Sequence, residues 1–493
     1  MSRQSNGPFA YHGTLIHPVT PSKLEILQDT IIVVDGKGSI SLIHPHFSIE
    51  DGQTLQDVIP IMLKQPDVQL CVTVLKPHQF IVPGFIDTHV HAPQFSMRGL
   101  GQGLHILDWL DQVTFPHEAK FSDKEYATEI YTRCVHMGLR QGITTACYFA
   151  SLHTEATKVL VDVCLEKGQR AFVGKTCMDH PETNPEYYRE ETADAEAGTV
   201  DLIQHCRAVD ENGTFVRPVL TPRFAISCTP ELLTGLGKLA KEHEHAYGVG
   251  RGIPNQTHFC EAQQEIDATL KQYEKFTCEA DLYEHYGLLD SKSVLAHCTL
   301  LGDDDLAKIK QLNCGVAHCP ISNVTVGGGF MAAPVRKFLS EGITKVGLGT
   351  DSGGGFSCSI MDVMRQALIV GNAREMLSKG REKRLGLEEV FYMATLGGAR
   401  VLGIQDRVGS FEVGKQFDAI LVDMQDPYSG PHDSFDAVHT TTIDEFGDKH
   451  IEAITKVWQK WIMSGDDRNL RRVWVGGQMK KDTYGAGYWG SMT

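Results

Sequence analysis

The 493-residue sequence lacks the segments that mark exported or membrane-spanning chains. No stretch approaches the roughly 18 apolar residues that a helix needs to cross a bilayer, and the N-terminus has no apolar core of a secretory signal. Positive charge is also scarce, because 46 Lys and Arg stand against 62 Asp and Glu, for a formal net charge of −16. Such a chain repels phosphate backbones and anionic lipids, so we expect neither nucleic acid nor a membrane as a partner.

The spacing of the cysteines fits neither a disulfide framework nor a thiolate metal site. The 13 cysteines are scattered singly, their number is odd, and no Cys-x-x-Cys pair occurs. Reduced, buried thiols are typical of cytosolic proteins, whereas small exported domains use paired cysteines. The sequence therefore predicts a cytoplasmic protein with free cysteines.

What the sequence does contain is a long alternation of short apolar runs and amphipathic stretches, beginning near Phe80. This rhythm is typical of βα units around a parallel sheet. The predicted strands end near Thr88, Phe149, Thr176, Thr221, Phe259, His297, His318 and Asp351. Eight strands over about 270 residues match a (β/α)8 barrel, for which about 250 residues are typical. We predict an α/β fold with a TIM-like (β/α)8 barrel at residues 81–404.

The two ends of the chain have a different character. Residues 1–80 contain short β segments separated by turn residues and one helix, and β character returns after a helical stretch at residues 387–402. Two β regions on either side of a barrel most simply form one domain. We predict a small composite β-sandwich domain, built from residues 1–80 and 405–493.

The strongest chemical signal is the strand Pro83-Gly-Phe-Ile-Asp-Thr-His89-Val-His91. Side chains two residues apart on a strand point to the same face, and barrels place their active sites at the C-terminal ends of strands. His89 and His91 could therefore bind one metal ion. Taken alone, the pair is weak evidence for a site, and two polar strand-end residues are the more common explanation.

Later predicted strands end in similar residues, namely His258 followed by Glu261, then His297, then Asp351. Nitrogen and oxygen ligands of this kind suit Zn²⁺ or Fe²⁺ with a water in an open position. The sequence thus predicts a catalytic metal site, with a metal-bound water that ionises near pH 7. We expect the ligands to be His89, His91, His258 and Asp351.

Hydroxide chemistry also needs a group that moves protons. Glu261, three residues after His258, is the natural proton shuttle, with Asp351 as a second relay. His297 either binds the metal or donates a hydrogen bond to the substrate or the attacking oxygen. We favour the second role, because three histidines and Asp351 already fill a zinc shell. The predicted catalytic residues are Glu261, His297 and Asp351.

These strand-end residues resemble the amidohydrolase superfamily, and the resemblance covers nearly the whole chain. It implies a metal-dependent hydrolase with a (β/α)8 barrel and a composite β-sandwich domain. Binuclear members carry a bridging lysine on the fourth strand, whereas residues 215–224 contain no lysine. The resemblance therefore implies one zinc ion per chain.

Further stretches are similar to the guanine deaminase family within that superfamily. They are Gln94 in the opening motif, Pro222-Arg223-Phe224, and residues 317–323, 349–354 and 465–477. The resemblance implies that a metal-bound hydroxide deaminates guanine to xanthine and ammonia, in a cytoplasmic homodimer. Alternatives are another mononuclear deaminase or chlorohydrolase, acting on an 8-oxopurine, a pterin or a triazine, or a noncatalytic scaffold on the same barrel.

Three residues suit the shape and hydrogen-bonding edge of guanine. Arg223 has only donors, guanine's O6 and N7 are acceptors, and Phe224 can stack on the ring face. Gln94 offers a donor and an acceptor to the remaining edge near the metal. The alternative is that Arg223 pairs with a carboxylate in this acidic chain. The predicted substrate-binding residues are His91, Gln94, Arg223, Phe224, His258, Glu261 and Asp351.

Overall fold

The computed structural model describes residues 7–49, 52–248, 251–326, 331–425 and 448–483. The chain divides into two compact units. The first comprises Met1–Phe85, Leu139–Thr144 and Gln405–Thr493, and the second comprises Ile86–Gly138 and Thr145–Ile404. Among the described residues, no helix is long and apolar enough to cross a membrane. All 13 cysteines are free, and all except Cys71 are buried or partly buried.

The first unit is built on one sheet whose strands come from both ends of the chain. The strands are β1 (Phe9–Thr20), β2 (Lys23–Val34), β3 (Ile40–His44), β4 (Cys71–Val74), β5 (Gln79–Pro83), β16 (Ala419–Asp423), β17 (Leu470–Val475) and β18 (Gln478–Asp482). Their order in the sheet is β18-β17-β16-β5-β1-β2-β3, and β4 pairs with β1. Because β16 pairs antiparallel with both β5 and β17, the C-terminal strands extend the sheet that the N-terminal strands begin.

The core of this sheet is apolar and aromatic. Tyr11, from the first strand, lies edge-on to Trp474 with ring centroids 5.6 Å apart. Trp474 also lies edge-on to Phe417, at 5.4 Å. Edge-to-face arrangements of this kind are favoured by the ring quadrupoles. Residues from opposite ends of the chain therefore share one core.

The second unit carries the parallel strands. They are β6 (Phe85–His91), β7 (Ile143–Phe149), β8 (Arg170–Gly174), β9 (Thr176–Cys177), β10 (Val216–Pro218), β11 (Thr221–Pro222), β12 (Gln256–Phe259), β13 (Val294–His297), β14 (Gly315–His318) and β15 (Val346–Leu348). Every residue of these strands is buried, as expected for a parallel sheet that is covered on both faces.

These strands follow one another around a ring. Two four-stranded parallel sheets have the orders β10-β8-β7-β6 and β12-β13-β14-β15, and β9 pairs with β11. A parallel bridge between Leu220 and Asn255 joins the two sheets on one side. On the other side, the Asp351 amide donates to the His89 carbonyl oxygen at 2.9 Å. This arrangement fits a (β/α)8 barrel, and the predicted α/β fold class is confirmed.

Helices connect the strands. The α-helices are α1 (Leu55–Met62), α2 (Ile106–Trp109), α3 (Phe115–Glu118), α4 (Lys124–Arg140), α5 (Thr154–Lys167), α6 (Thr192–Val209), α7 (Pro230–Glu242), α8 (Gln263–Gln272), α9 (Glu279–His285), α10 (Asp303–Leu312), α11 (Pro320–Thr325), α12 (Val335–Ser340), α13 (Ile360–Leu377), α14 (Leu387–Tyr392), α15 (Gly398–Val401) and α16 (Asp448–Ser464). Short 3₁₀ helices lie at Ala92–Met97, Ala119–Ser122, Glu186–Tyr188 and Ala225–Ser227, and π-helical turns at Leu110–Thr114 and Met393–Gly397.

Candidate active site

The predicted metal ligands meet at the C-terminal ends of the strands. His89 and His91 come from β6, His258 from β12, and Asp351 follows β15. The His91 and His258 Nε2 atoms are 3.1 Å apart. Asp351 Oδ1 lies 3.2 Å from His89 Nε2 and 3.4 Å from His91 Nε2. Four side chains from three distant parts of the sequence therefore converge on one point.

This geometry fits a metal ion. A tetrahedral ion with bonds of about 2.0–2.1 Å separates its ligand atoms by about 3.4 Å, close to the distances found here. His89 Nε2 is buried and has no hydrogen-bond partner among the described residues. His89, His91 and His258 form one of the groups whose ligand atoms all lie within 4.8 Å of one another. The described residues thus contain a histidine-rich group suited to a metal ion.

The charge state of the cluster favours ligation. Burial lowers the pKa of His89, and lowers the pKa values of His91 and His258 well below the ordinary value, so all three are neutral at pH 7. Burial alone would raise the pKa of Asp351, but the neighbouring His89, whose Nε2 lies 3.2 Å from Oδ1, holds that pKa well below its usual range. Neutral imidazoles beside an ionised carboxylate are the forms that bind metal ions.

Neighbouring groups orient these ligands. His258 Nδ1 donates to the Arg223 carbonyl oxygen at 2.6 Å, which leaves Nε2 as the ligand atom. Asp87 accepts from the Thr350 amide at 2.9 Å and from Thr350 Oγ1 at 2.6 Å, so it ties the first barrel strand to the residue before Asp351. Burial raises the pKa of Asp87 to about 7.

The two predicted proton-transfer residues lie beside the cluster. Glu261 Oε1 is 3.6 Å from His297 Nε2, and both side chains are buried. Burial raises the pKa of Glu261 to about 7, against the opposing effect of His297. Because His297 Nδ1 donates to Asn323 Oδ1 at 2.7 Å, its Nε2 faces Glu261. A carboxyl group that titrates near neutrality can both accept and release a proton.

Left-handed backbone conformations mark the strand ends that carry these residues. The φ angles are +45° at Cys260, +73° at His297 and +44° at Asp351. Residues with a Cβ rarely adopt such angles, and they persist where the surrounding structure holds them for function. The strain therefore coincides with the site.

A pocket of about 380 Å³ opens beside the cluster. Its lining combines the polar residues His91, Gln94, Arg223, His258, Glu261, Glu265 and Asp351 with the apolar residues Ile106, Trp109, Leu110, Phe224 and Val326. All seven residues predicted to bind the substrate line this one pocket. The rings of the remaining predicted residues, His89 and His297, both contact the ring of His258, which is one of the lining residues.

Sequence reasoning missed Glu118, which is completely buried behind the pocket. Its carboxylate accepts from Arg223 Nη1 at 2.8 Å and from Nη2 at 3.2 Å. It also accepts from Gln94 Nε2 at 2.7 Å and from Tyr188 Oη at 2.8 Å. The alternative stated above for Arg223, a pairing with a carboxylate, is thus present in the structure. Arg223 nevertheless lines the pocket. No motif in the sequence selects Glu118 from 62 acidic residues.

The barrel, the histidine-rich cluster and the pocket define a metal-dependent hydrolase. The amidohydrolase family matches residues 80–480, and the chain belongs to this family. Within it, the chain is 35% identical over 474 residues to the guanine deaminase of Dictyostelium discoideum, covering 96% of this chain and 98% of the relative. It is 36% identical over 469 residues to the guanine deaminase of Homo sapiens, covering 95% of both chains.

A solved structure of a guanine deaminase is also similar to this chain. The crystal structure of guanine deaminase from C. acetobutylicum with bound guanine in the active site superposes with a TM-score of 0.80. The two chains are 30% identical, and the match covers 96% of this chain and 100% of the other. The expected resemblance to guanine deaminases of the amidohydrolase superfamily is confirmed.

Proposed function

We propose that this chain hydrolyses guanine to xanthine and ammonia. The observation that carries the proposal is a single pocket that joins the metal-binding cluster to Gln94, Arg223 and Phe224. Support also comes from relatives named guanine deaminase that match nearly the full chain. The solved relative from C. acetobutylicum has guanine bound in its active site.

The pocket complements a flat base with polar edges. The Phe224 ring is available to stack on the purine face, and Trp109 and Leu110 add apolar walls. Gln94 Oε1 is an acceptor and Arg223 Nε is a donor, and both are buried without a partner in the part of the chain that the structure describes. Guanine presents N1–H as a donor beside O6 as an acceptor, so this pair of atoms matches that edge.

The reaction replaces the C2–N bond to the amino group by a C2–O bond from water. When bound by these ligands, a divalent ion supplies an acidified water at neutral pH. We assign to Glu261 the removal of a proton from the attacking water and its delivery to the amino group that leaves as ammonia. His297, 3.6 Å from Glu261, holds the attacking oxygen by a hydrogen bond, and Asp351 acts as a second proton relay.

Finer features of the proposal concern the metal and the assembly. We propose Zn²⁺ as the ion, one per chain, with His89, His91, His258 and Asp351 as its ligands. Their 3.1–3.4 Å spacing supports a single tetrahedral centre. We further propose that the protein is a cytoplasmic homodimer, and the free thiols support a reducing compartment.

Ammonia release measured across guanine, adenine, a pterin and an aminotriazine tests reaction and substrate together. We expect rapid release from guanine, with stoichiometric xanthine identified chromatographically. Ammonia from the triazine or the pterin at a rate equal to or above that from guanine would contradict the assigned substrate. Release from none of the four would contradict the deaminase assignment.

Metal analysis of the purified protein tests the proposed centre. We expect about one equivalent of zinc per chain, because three imidazoles and one carboxylate complete a four-ligand shell. The double variant His89→Ala with His91→Ala should lose the ion and all measurable activity. Two tightly bound equivalents in the active protein would contradict the mononuclear site, and full activity of the double variant would remove the metal from the mechanism.

A further inference from the structure

The Glu118 carboxylate receives hydrogen bonds from the two side chains that present polar atoms to the purine edge. One oxygen, Oε1, accepts from Gln94 Nε2 at 2.7 Å and from Arg223 Nη2 at 3.2 Å. The other, Oε2, accepts from Arg223 Nη1 and from Tyr188 Oη, both at 2.8 Å. Glu118 itself does not line the pocket. Any effect it has on a substrate therefore passes through Gln94 and Arg223.

A carboxylate can only accept hydrogen bonds, and this fixes the orientation of the Gln94 carboxamide. The Gln94 side chain must turn its amino group toward Glu118, so that Oε1 is directed elsewhere. Oε1 is buried without a partner among the residues that the structure describes. A Cβ at Gly353, where φ is +132°, would come within 2.0 Å of this oxygen, so the glycine keeps space for it. Gln94 lines the pocket, and Oε1 is the atom of its carboxamide that is left without a partner among the described residues.

The same carboxylate fixes the orientation of the Arg223 guanidinium. A guanidinium has five N–H groups, and both Nη atoms are bound to the Glu118 fork. Nε is buried and has no partner within the described ranges. The two bonds to Glu118 hold the guanidinium in one orientation and match its charge, with Nε–H among the donors that remain.

We propose that Glu118 is a positioning residue that determines base selectivity, by fixing Gln94 as an acceptor and holding the Arg223 guanidinium in one orientation as a donor. This inference rests on the proposed guanine deaminase function. The fixed pair selects a base edge with a donor beside an acceptor, as N1–H and O6 provide in guanine. A base edge with the reverse pattern meets acceptor against acceptor and donor against donor.

The alternative is that Glu118 only neutralises a buried arginine. The two roles differ in the isosteric variant Glu118→Gln. A carboxamide also donates, so Gln94 is then free to turn its amino group into the pocket. Loss of neutralisation alone would reduce the amount of folded protein or the rate on every substrate. Loss of positioning changes the ratio of the kcat/KM values for two substrates.

The experiment compares guanine with the diaminopurine that carries an amino group in place of O6. Both keep the reacting amino group at C2, while the diaminopurine has an acceptor at N1 and a donor at C6. For Glu118→Gln we expect kcat/KM for guanine to fall about 10- to 100-fold, mainly through KM, because buried polar atoms lose correct partners. The guanine-to-diaminopurine ratio of kcat/KM should fall at least about tenfold.

Glu389→Gln is the matched control. Glu389 is also buried and is bound by both Nη atoms of an arginine, Arg336, but neither residue lines the substrate pocket. We expect this variant to lose stability and to keep the wild-type ratio of kcat/KM values.

A positive test is the double variant Glu118→Gln with Gln94→Glu, which returns an acceptor-only group to the pocket and should restore much of the guanine-to-diaminopurine ratio.

Each outcome of these measurements supports or contradicts the positioning role of Glu118. An unchanged ratio in folded, metal-loaded Glu118→Gln overturns the positioning role while the wild type remains a guanine deaminase. An equal fall of the ratio in Glu389→Gln overturns it as well. If Glu118→Gln does not fold, Glu118→Asp carries the test, because the shorter carboxylate cannot reach both partners, and an unchanged ratio there overturns the proposal. Failure of the wild type to deaminate guanine overturns the proposed function and this role together.

Discussion

Glu261→Gln is expected to keep the fold and the metal and to lose about 10²- to 10⁴-fold or more in kcat, the range for removal of a positioned general acid–base group. The substitution preserves shape but removes the group whose pKa burial raises to about 7. Steady-state kinetics with guanine, together with metal content and thermal unfolding, measure the effect. Guanine binding should be weakened far less than turnover.

A second carboxylate in the same pocket provides the control for this prediction. Glu265 is four residues further along and is equally buried, but its oxygens accept from Thr269 Oγ1 and from the Glu261 amide. We expect Glu265→Gln to lose at least about tenfold less in kcat than Glu261→Gln. A near-normal kcat in Glu261→Gln would show that protons travel by another route, with His297 as the first group to test.

The barrel was predictable because apolar runs and polar strand ends are local features. The predicted ends at Phe149, Phe259 and His297 coincide with the observed ends of β7, β12 and β13. The third and fourth barrel strands differ, because each is divided into two short pieces, β8 with β9 and β10 with β11. Pro218 and Pro222 end the pieces of the fourth strand, and proline cannot donate to a ladder.

The convergence of His89, His91, His258 and Asp351 was also predictable, since each lies at or just after the end of a strand and strand ends meet at one face of a barrel. Glu118 was not predictable, because it lies on the short helix α3 in a connection whose path no periodicity specifies. Its importance depends on three-dimensional neighbours, Gln94 and Arg223, from distant parts of the chain. The pairing of Arg223 with Glu118 was hidden for the same reason, because it joins residues that are far apart in sequence.

Guanine is expected to be preferred over adenine by roughly 10⁴ to 10⁵ in kcat/KM, the factor that a site built around specific hydrogen bonds can reach. Adenine has no amino group at C2 and places one where O6 stands in guanine. In the orientation of guanine it would therefore lack a leaving group at the reacting carbon, and Arg223 would face a donor instead of an acceptor. The measurement is ammonia release from each base with the same enzyme preparation. Comparable turnover of the two bases would contradict the assigned substrate and leave the metal-dependent hydrolase assignment intact.

Arg223→Ala identifies the side chain that provides this preference. We expect kcat/KM for guanine to fall at least about 10²-fold, because a charged donor is lost and Glu118 becomes a buried, unpaired carboxylate. Removing one partner of a buried ion pair costs about 3–5 kcal/mol, so the thermal midpoint should also fall. Arg223→Lys separates the two effects, since an ammonium can pair with Glu118 but has no Nε to offer the base. It should recover stability and metal content while guanine turnover stays low, and recovery of normal turnover would show that charge alone, without the directed donor, selects guanine.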